Sequence, residues 1–392
     1  MKCDVLVIGA GPGGSIAAKT AAQKGLDVVL LEKRQEIGEP IRCAEGISLR
    51  SELKELVDVD PSWISSEIKG AKLYSPNGDY VSSTRDGSNG VGGYILERKE
   101  FDRGLARMAG ECGAEVLVKT RAAMLRRRDG RIQVSAFYQG YPQKIESLLV
   151  IGADGVESKV ARWAGMDSRL TPEEIMICVQ FLVSAPKFDR DYCEFFFGNK
   201  LAPGGYIWIF PKGSGLANVG IGLQGSQSGA GLALRLLESF LDKRMPEARI
   251  LQMVAGGIPT SGPMRSITSD GIMLVGDAAH QSDPLTGGGI INAMRAGILA
   301  GEVAARAVSS GDTSQQRLQE YEDGWRSSWG RQLEKSLNAK RFFHSLSDDD
   351  LNHLAASLQG HDLSRLNPVD LLKSLIKSDP KMLWNMRKLI QF

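Results

Sequence analysis

The chain has 392 residues, 42% of them hydrophobic and 24% charged, as expected of a globular protein with room for two or three domains. A formal net charge of +2 gives no bulk electrostatic case for a nucleic-acid partner. Five scattered cysteines without a CxxC pair exclude a disulfide scaffold and a zinc finger, and point to a reducing, cytoplasmic setting.

In chain order, "CDVLVI" (Cys3 to Ile8) is a continuous apolar run rich in β-branched residues, the pattern of a buried parallel strand. It runs straight into "GAGPGG", so it is not read as a signal peptide, whose cleavage would remove a working part. "SIAAKTAAQKG" follows as a helix of small residues closing at Gly25, and "DVVLLE" as a second buried strand. This is a βαβ unit carrying a dinucleotide fingerprint. Gly9 makes the turn, Gly11 lets the backbone approach a pyrophosphate, and Gly14 allows helix and strand to pack closely. Glu32, at the end of the second strand, is placed for ribose hydroxyls and disfavours a 2′-phosphate.

"LERKEFDRGLARMAGECGAEV" reads as a helix and then a strand, and the strands after it pair as a meander across "RDGR". The meander ends in "ADG" with Asp154; alone, this is a common turn. From about Met166 to Gly256, strands such as "CEFFFG" and "GYIWIFPKG" separated by glycines predict an antiparallel sheet. "GIMLVGDAAH" returns to the strand-into-helix style. Its Asp277 is either a simple helix cap or an acceptor for a ribityl hydroxyl. "PLTGGGIINAMRAG" then opens a helix at Gly288 and Gly289, whose dipole would stabilise the anionic edge of a reduced flavin. From about Arg331 the chain is helical. No run approaches the ~20 apolar residues of a membrane-spanning helix.

In this order, GxGxxG, DG, GD and a glycine-rich helix start resemble the FAD-binding pattern of the p-hydroxybenzoate hydroxylase-like flavoproteins. "EPIRCAEGIS", "YILERKEFDRGLA", "GGYIWIFPKGSGLANVGIG" and "DPLTGGGI" narrow the resemblance to the geranylgeranyl reductase family, in particular its archaeal members acting on digeranylgeranylglycerophospholipids. It covers roughly the first 330 residues. It implies FAD contacts at Gly13, Glu32, Cys43, Ala44, Gly46, Arg98, Ala122, Asp277, Gly289 and Ile290, beside Gly9, Gly11, Gly14, Asp154 and Gly288. Ala44 departs from the glycine that many relatives carry there.

The fold class expected is α/β with an α+β insertion: a discontinuous Rossmann-like FAD-binding domain, an antiparallel-sheet substrate domain and a helical C-terminal region. The first takes residues 1–70, 98–165 and 257–330, the second 71–97 and 166–256, the third 331–392. The resemblance implies saturation of isolated prenyl double bonds by hydride from reduced flavin, with NADPH, ferredoxin or another reductant as donor and no metal.

Tyr206, Trp208 and Phe210 alternate with Ile207 and Ile209, so as a strand they share one face. That face would line a tunnel for the prenyl lipid substrate, or else be ordinary sheet core. Cys43 is a small buried hydrophobe or a proton relay beside the flavin. His280 is expected on a helix surface, with a general-acid role as the alternative. "LLKSLIKSDPKMLWNMRKLIQF" interleaves five basic residues with apolar ones and would sit on a membrane surface at the cytoplasmic face, or pack on its own domain. "RRR" at Arg126 to Arg128 reads as a solvated edge. Two rival functions stand beside the reductase: a flavin monooxygenase or halogenase of the same superfamily, and a lipid carrier with a structural flavin.

Overall fold

The computed structural model describes residues 1–84, 92–185 and 187–360. The chain opens with β1 (Lys2–Ile8), α1 (Pro12–Gln23) and β2 (Val28–Leu31). Next come β3 (Gly46–Ile47), α2 (Arg50–Leu56), β4 (Ile64–Ile68), β5 (Gly70–Tyr74), β6 (Tyr80–Thr84) and β7 (Gly93–Leu96). Then follow α3 (Arg98–Glu111), β8 (Glu115–Leu117), β9 (Thr120–Arg128), β10 (Arg131–Tyr138), β11 (Tyr141–Gly152) and α4 (Lys159–Trp163). The middle of the chain holds β12 (Ile175–Ser184), β13 (Tyr192–Phe196), β14 (Tyr206–Gly213), β15 (Leu216–Gln224), α5 (Leu232–Arg244) and β16 (Arg249–Pro259). The last elements are β17 (Thr268–Ser269), β18 (Ile272–Leu274), α6 (Ile290–Ser310), α7 (Gln315–Trp325), α8 (Arg331–His344) and α9 (Asp348–Leu358).

The chain divides into two units. The first takes Met1–Ile41, Arg98–Leu170 and Ile258–Leu337. Its sheet runs β17-β18-β11-β1-β2-β8, with β10 joined to β11 and β9 to β10. The pairs from β18 through β11, β1 and β2 to β8 are parallel, while β9 and β10 run antiparallel. The apolar runs read from sequence are therefore central strands: Val5, Leu6, Val7, Leu30, Leu149, Val150 and Ile151 are fully buried. α1 ends at Gln23, and Gly25 takes the left-handed conformation just beyond, as the terminal glycine predicts.

Small residues let α1 and α6 lie against each other. A Cβ on Gly297 would stand 2.4 Å from the Gly13 carbonyl oxygen, and one on Gly301 would stand 2.7 Å from Thr20 Cβ.

The second unit takes Arg42–Glu97, Thr171–Gly257 and the chain from Asn338. Its larger sheet runs β16-β12-β15-β14-β13-β5-β6, and a small sheet runs β3-β7-β4. β13 and β5 pair in parallel, while β12, β15, β14 and β13 form antiparallel neighbours, as do β5 and β6. The period-2 pattern of β14 holds. Ile207 and Ile209 face a core shared with Leu237, Phe240 and Leu241 of α5, and Trp208 and Phe210 face a second cluster with Ile68, Ile95 and Cys193.

Two expected boundaries are corrected. Residues 42–70 were assigned to the first domain but group with the second unit, because β3 and β4 both pair with β7. As far as residue 360 the helical end is not a separate body: Leu333 belongs to the first core, while Phe342, Leu346, Leu354 and Leu358 cluster with Val81. The basic apolar run after Asp370 lies outside the described residues.

Candidate active site

In the first unit, β1 delivers the chain into the glycine turn. Gly9 has φ +108°, a conformation open to glycine, and its N–H donates to the Leu31 carbonyl at 2.8 Å. A Cβ on Gly9 would meet the Ala153 carbonyl oxygen at 2.2 Å, and one on Gly14 would meet the Gly9 carbonyl oxygen at 1.9 Å. Both glycines are therefore demanded by the protein's own packing. Gly11 differs, since a Cβ there would meet nothing within 4 Å. Gly11 also caps α1 without a side-chain bond, which leaves the first-turn amides as free donors with the positive end of the helix behind them. That open space in front of unused donors fits a pyrophosphate.

Glu32 stands at the same turn, its carboxylate accepting from Ala10 N at 3.2 Å and from Arg34 N at 2.9 Å. Thr120 N donates to the Glu32 carbonyl, so the start of β9, two residues before Ala122, lies against the end of β2. Asp154 is engaged elsewhere. Its carboxylate accepts from Ser158 Oγ, Lys159 N and Val160 N, and so organises the start of α4.

The second glycine cluster is braced by residues that sequence reasoning passed over. Gln281 Oε1 accepts from Gly276 N at 2.7 Å, and Gln281 Nε2 donates to the Tyr321 hydroxyl, which donates to the Leu274 carbonyl. Asp283 Oδ1 accepts from Leu285 N, Thr286 N and Thr286 Oγ1, and this shapes the loop into Gly287 to Gly289. α6 then starts at Ile290 with Gly289 as an N-cap that supplies no side-chain bond.

Asp277 is half-buried and accepts no side-chain hydrogen bond among the described residues. Burial pushes its carboxyl up from the usual 3.8 to about 6, with the Arg98 guanidinium pulling the other way. Arg98 is held by a two-pronged ion pair to Asp102, at 2.9 and 2.8 Å. A Cβ on Gly289 would come within 3.6 Å of Asp277 Oδ1, so the aspartate and the start of α6 adjoin. An unused, half-buried acceptor beside an uncapped helix start suits a hydroxyl-bearing chain that ends in an electron-rich ring.

In the second unit, the segment Cys43–Gly46 is fastened to the sheet. Gln180 Nε2 donates to the Cys43 carbonyl at 3.0 Å, and Trp208 Nε1 donates to Gln180 Oε1 at 3.0 Å. Asn218 Nδ2 donates to the Ala44 carbonyl and, at 2.6 Å, to Glu45 Oε2. Lys212 Nζ donates to that same carboxylate oxygen at 2.6 Å and stands 3.1 Å from Glu97 Oε2. Glu45 has φ +72° and is 2% exposed.

Gly46 lies against Phe210, where a Cβ would approach the ring to 2.7 Å. Cys43 Sγ accepts from Glu45 N at 3.2 Å. Burial holds the nearby Cys178 thiol up at about 12, with the Cys43 charge a smaller contribution, so Cys178 stays a neutral thiol. Tyr206, Trp208, Phe210, Phe195 and Ala44 share one apolar cluster, in which Phe195 meets Tyr206 and Phe210 edge to face.

Glu45, Lys212, Asn218 and Gln180 were missed. Three of them lie inside the stretches "EPIRCAEGIS" and "GGYIWIFPKGSGLANVGIG", where charged or amide residues amid apolar neighbours were the available signal. His280 is corrected. It is 5% exposed, takes a left-handed φ of +53° and hydrogen-bonds through Nδ1 to Ser261 Oγ, so it does not sit on a helix surface. Among the described residues no helix is long and apolar enough to cross a membrane.

Comparison with known proteins places this geometry in context. A model described as "FAD dependent oxidoreductase" matches residues 4–181, and one described as "Geranylgeranyl reductase catalytic domain" matches residues 174–258. The chain is 56% identical over 391 residues to the digeranylgeranylglycerophospholipid reductase of Methanothrix thermoacetophila, with 100% of both chains covered. It is 51% identical to the reductase of the same name from Methanosarcina acetivorans, over 99% of this chain and 96% of that one. A solved geranylgeranyl bacteriochlorophyll reductase-like protein from Thermoplasma acidophilum superposes with a TM-score of 0.93 at 36% identity, covering 99% of each chain. A flavin-dependent halogenase superposes at 0.68 with 18% identity over 99% of this chain and 78% of the other, a likeness of fold alone that does not favour the halogenase reading.

Proposed function

The chain belongs to the geranylgeranyl reductase family as an FAD-dependent reductase, and from that premise we propose that it saturates the isolated double bonds of geranylgeranyl chains on a glycerophospholipid. When bound, FAD supplies the reducing equivalents as hydride. The chain's own residues do the rest. The open space at Gly11 and the first-turn amides of α1 would receive the pyrophosphate. Glu32 would accept from the ribose and Asp277 from the ribityl chain, and the start of α6 at Gly288, Gly289 and Ile290 would hold the ring end of the cofactor with its positive dipole. Arg98 and Ala122 complete the binding surface, and Asp154 acts as a positioning residue through α4. Tyr206, Trp208 and Phe210 give the prenyl chain an apolar wall, and Cys43 passes the proton an isolated alkene requires.

The observation that carries this reading is the fastening of Cys43–Gly46 to the aromatic face of β14 through Gln180, Asn218 and Lys212. It holds a thiol-bearing loop against an apolar surface of the segment that matches the reductase catalytic domain. The reductant is NADPH, ferredoxin or another donor, and the enzyme works peripherally on the cytoplasmic face of the membrane. The test is anaerobic incubation of the chemically reduced holoenzyme with digeranylgeranylglycerophospholipid, followed by mass spectrometry. Stepwise gain of hydrogen pairs is expected. An unchanged lipid, or a product formed only when oxygen is admitted, overturns the proposal.

A further inference from the structure

Two independent distributions meet in the meander β9-β10-β11. Residues 118–146 hold seven cations (Lys119, Arg121, Arg126, Arg127, Arg128, Arg131 and Lys144) against Asp129 and Glu146, a net +5 in a chain of net +2. The rest of the chain is therefore net −3. The same stretch holds five of the eleven exposed large hydrophobic side chains among the described residues: Val118, Met124, Phe137, Tyr138 and Tyr141. Tyr141 is 73% exposed.

The register explains how they are displayed. Ile132, Val134 and Ala136 point into the first core, so the alternate positions face outward. Across the three strands, Arg121 pairs with Phe137 and Phe137 with Pro142. Met124 pairs with Ser135 and Ser135 with Lys144, and Arg126 pairs with Gln133. The guanidinium of Arg121 lies over the Phe137 ring at 5.1 Å. At the tip, Tyr138 faces Tyr141 across a two-residue turn, Gln139 and Gly140, with both φ values positive as such a hairpin requires; by the same alternation the two tyrosines share the side of Ile132, Val134 and Ala136, exposed beyond the end of the core. Of the cations, Arg127 is paired with Asp270 and Arg128 with Asp129.

We propose that the outward face of Arg121, Met124, Arg126, Phe137 and Lys144, together with the tyrosines exposed at the hairpin tip, docks the enzyme on an anionic phospholipid bilayer. Aromatic side chains with a polar end settle at the headgroup level, and clustered Lys and Arg complement the phosphates. The choice of a lipid surface rests on the reductase reading above; the face itself does not. Of "RRR", read from sequence as a solvated edge, Arg126 and Arg128 belong to this surface, while Arg127 pairs with Ile132 and turns to the other side.

The test is flotation of the full-length, FAD-loaded enzyme with vesicles of phosphatidylcholine alone or mixed equally with phosphatidylglycerol. The expected result is binding to the mixed vesicles only, weakened by salt. The triple variant Arg121→Glu, Arg126→Glu, Lys144→Glu should bind about a hundredfold more weakly, and Tyr138→Ser with Tyr141→Ser should also bind less. Both variants should keep their flavin and their rate on detergent-dispersed lipid. The proposal is overturned if the triple variant floats as wild type does, if only removal of residues after 360 abolishes flotation, or if the wild type binds duplex DNA but no vesicles. Absence of alkene reduction in detergent, with flotation intact, would sink the reductase reading and leave the docking surface standing.

Discussion

The Lys212 ammonium stands 2.6 Å from the Glu45 carboxylate, with side-chain exposures of 7% and 2%. Their partnership spans 167 positions of sequence and joins the end of the aromatic strand β14 to the loop carrying Cys43. Neither charge has water to fall back on, so the pair is asymmetric under mutation. Lys212→Met takes the countercharge from a buried carboxylate that Asn218 also holds, and should destabilise the fold by about 3–5 kcal/mol. Glu45→Gln should be milder, because Lys212 retains Glu97. Urea unfolding of both variants checks the order; equal losses would refute it.

The glycines of the first turn separate packing from binding. Gly14→Ala should fold poorly, since its Cβ would overlap the Gly9 carbonyl. Gly11→Ala should unfold at the wild-type urea midpoint, because nothing stands within 4 Å, yet lose FAD affinity by at least about tenfold, the equivalent of one hydrogen bond. Titration of the apoprotein with FAD reads this directly. A Gly11→Ala variant that binds FAD normally would remove the pyrophosphate from that spot.

Asp277 gives a pH dependence of unusual sign. Its folded-state value, raised to about 6, lies above the usual 3.8 of an unfolded chain. Between these values the folded apoprotein holds the extra proton, so this group's contribution to stability declines as pH rises from about 4 to about 6. Above that range the ionised carboxylate costs up to about 3 kcal/mol. Asp277→Asn should therefore match wild type near pH 4 and exceed it at pH 7, with the slope between removed. Denaturation of the apoproteins at the two pH values decides it, and a variant less stable at pH 7 contradicts the assignment.

Cys43 separates chemistry from cofactor retention. Cys43→Ser should keep its flavin spectrum and its urea midpoint within about 1 kcal/mol. Alkene reduction should fall by about a hundredfold, the scale of a lost proton-transfer group. Unchanged turnover would return Cys43 to the role of a small apolar filler.

How much of this could be read before the fold was known follows from the reach of each interaction. β1, α1 and β2 were legible because a continuous apolar run, a glycine turn and a small-residue helix are local signals. The two faces of β14 were legible because alternation is local too. The placement of residues 42–70 was not, since β3 is two residues long and finds its partner in β7, nearly fifty residues on. His280 misled because its left-handed backbone, which turns the side chain inward, has no signature in residue type. Asp154 was visible as an acid in a turn, but its three donors come from the start of α4. The Lys212–Glu45 pair was hidden by its separation.

The position of β11 between β1 and β18 has a consequence for synthesis of the chain. β18 is translated some 120 residues after β11, so a nascent chain displays the bare hydrogen-bonding edge of Val150, Ile151 and Gly152 throughout that interval. Val150 and Ile151 are fully buried once the sheet is complete. A ribosome-bound chain halted near residue 260 would be a sticky, unfinished sheet, and a cell making this enzyme would need chaperone capacity for that window. Once Ile272, Met273 and Leu274 arrive, the edge closes.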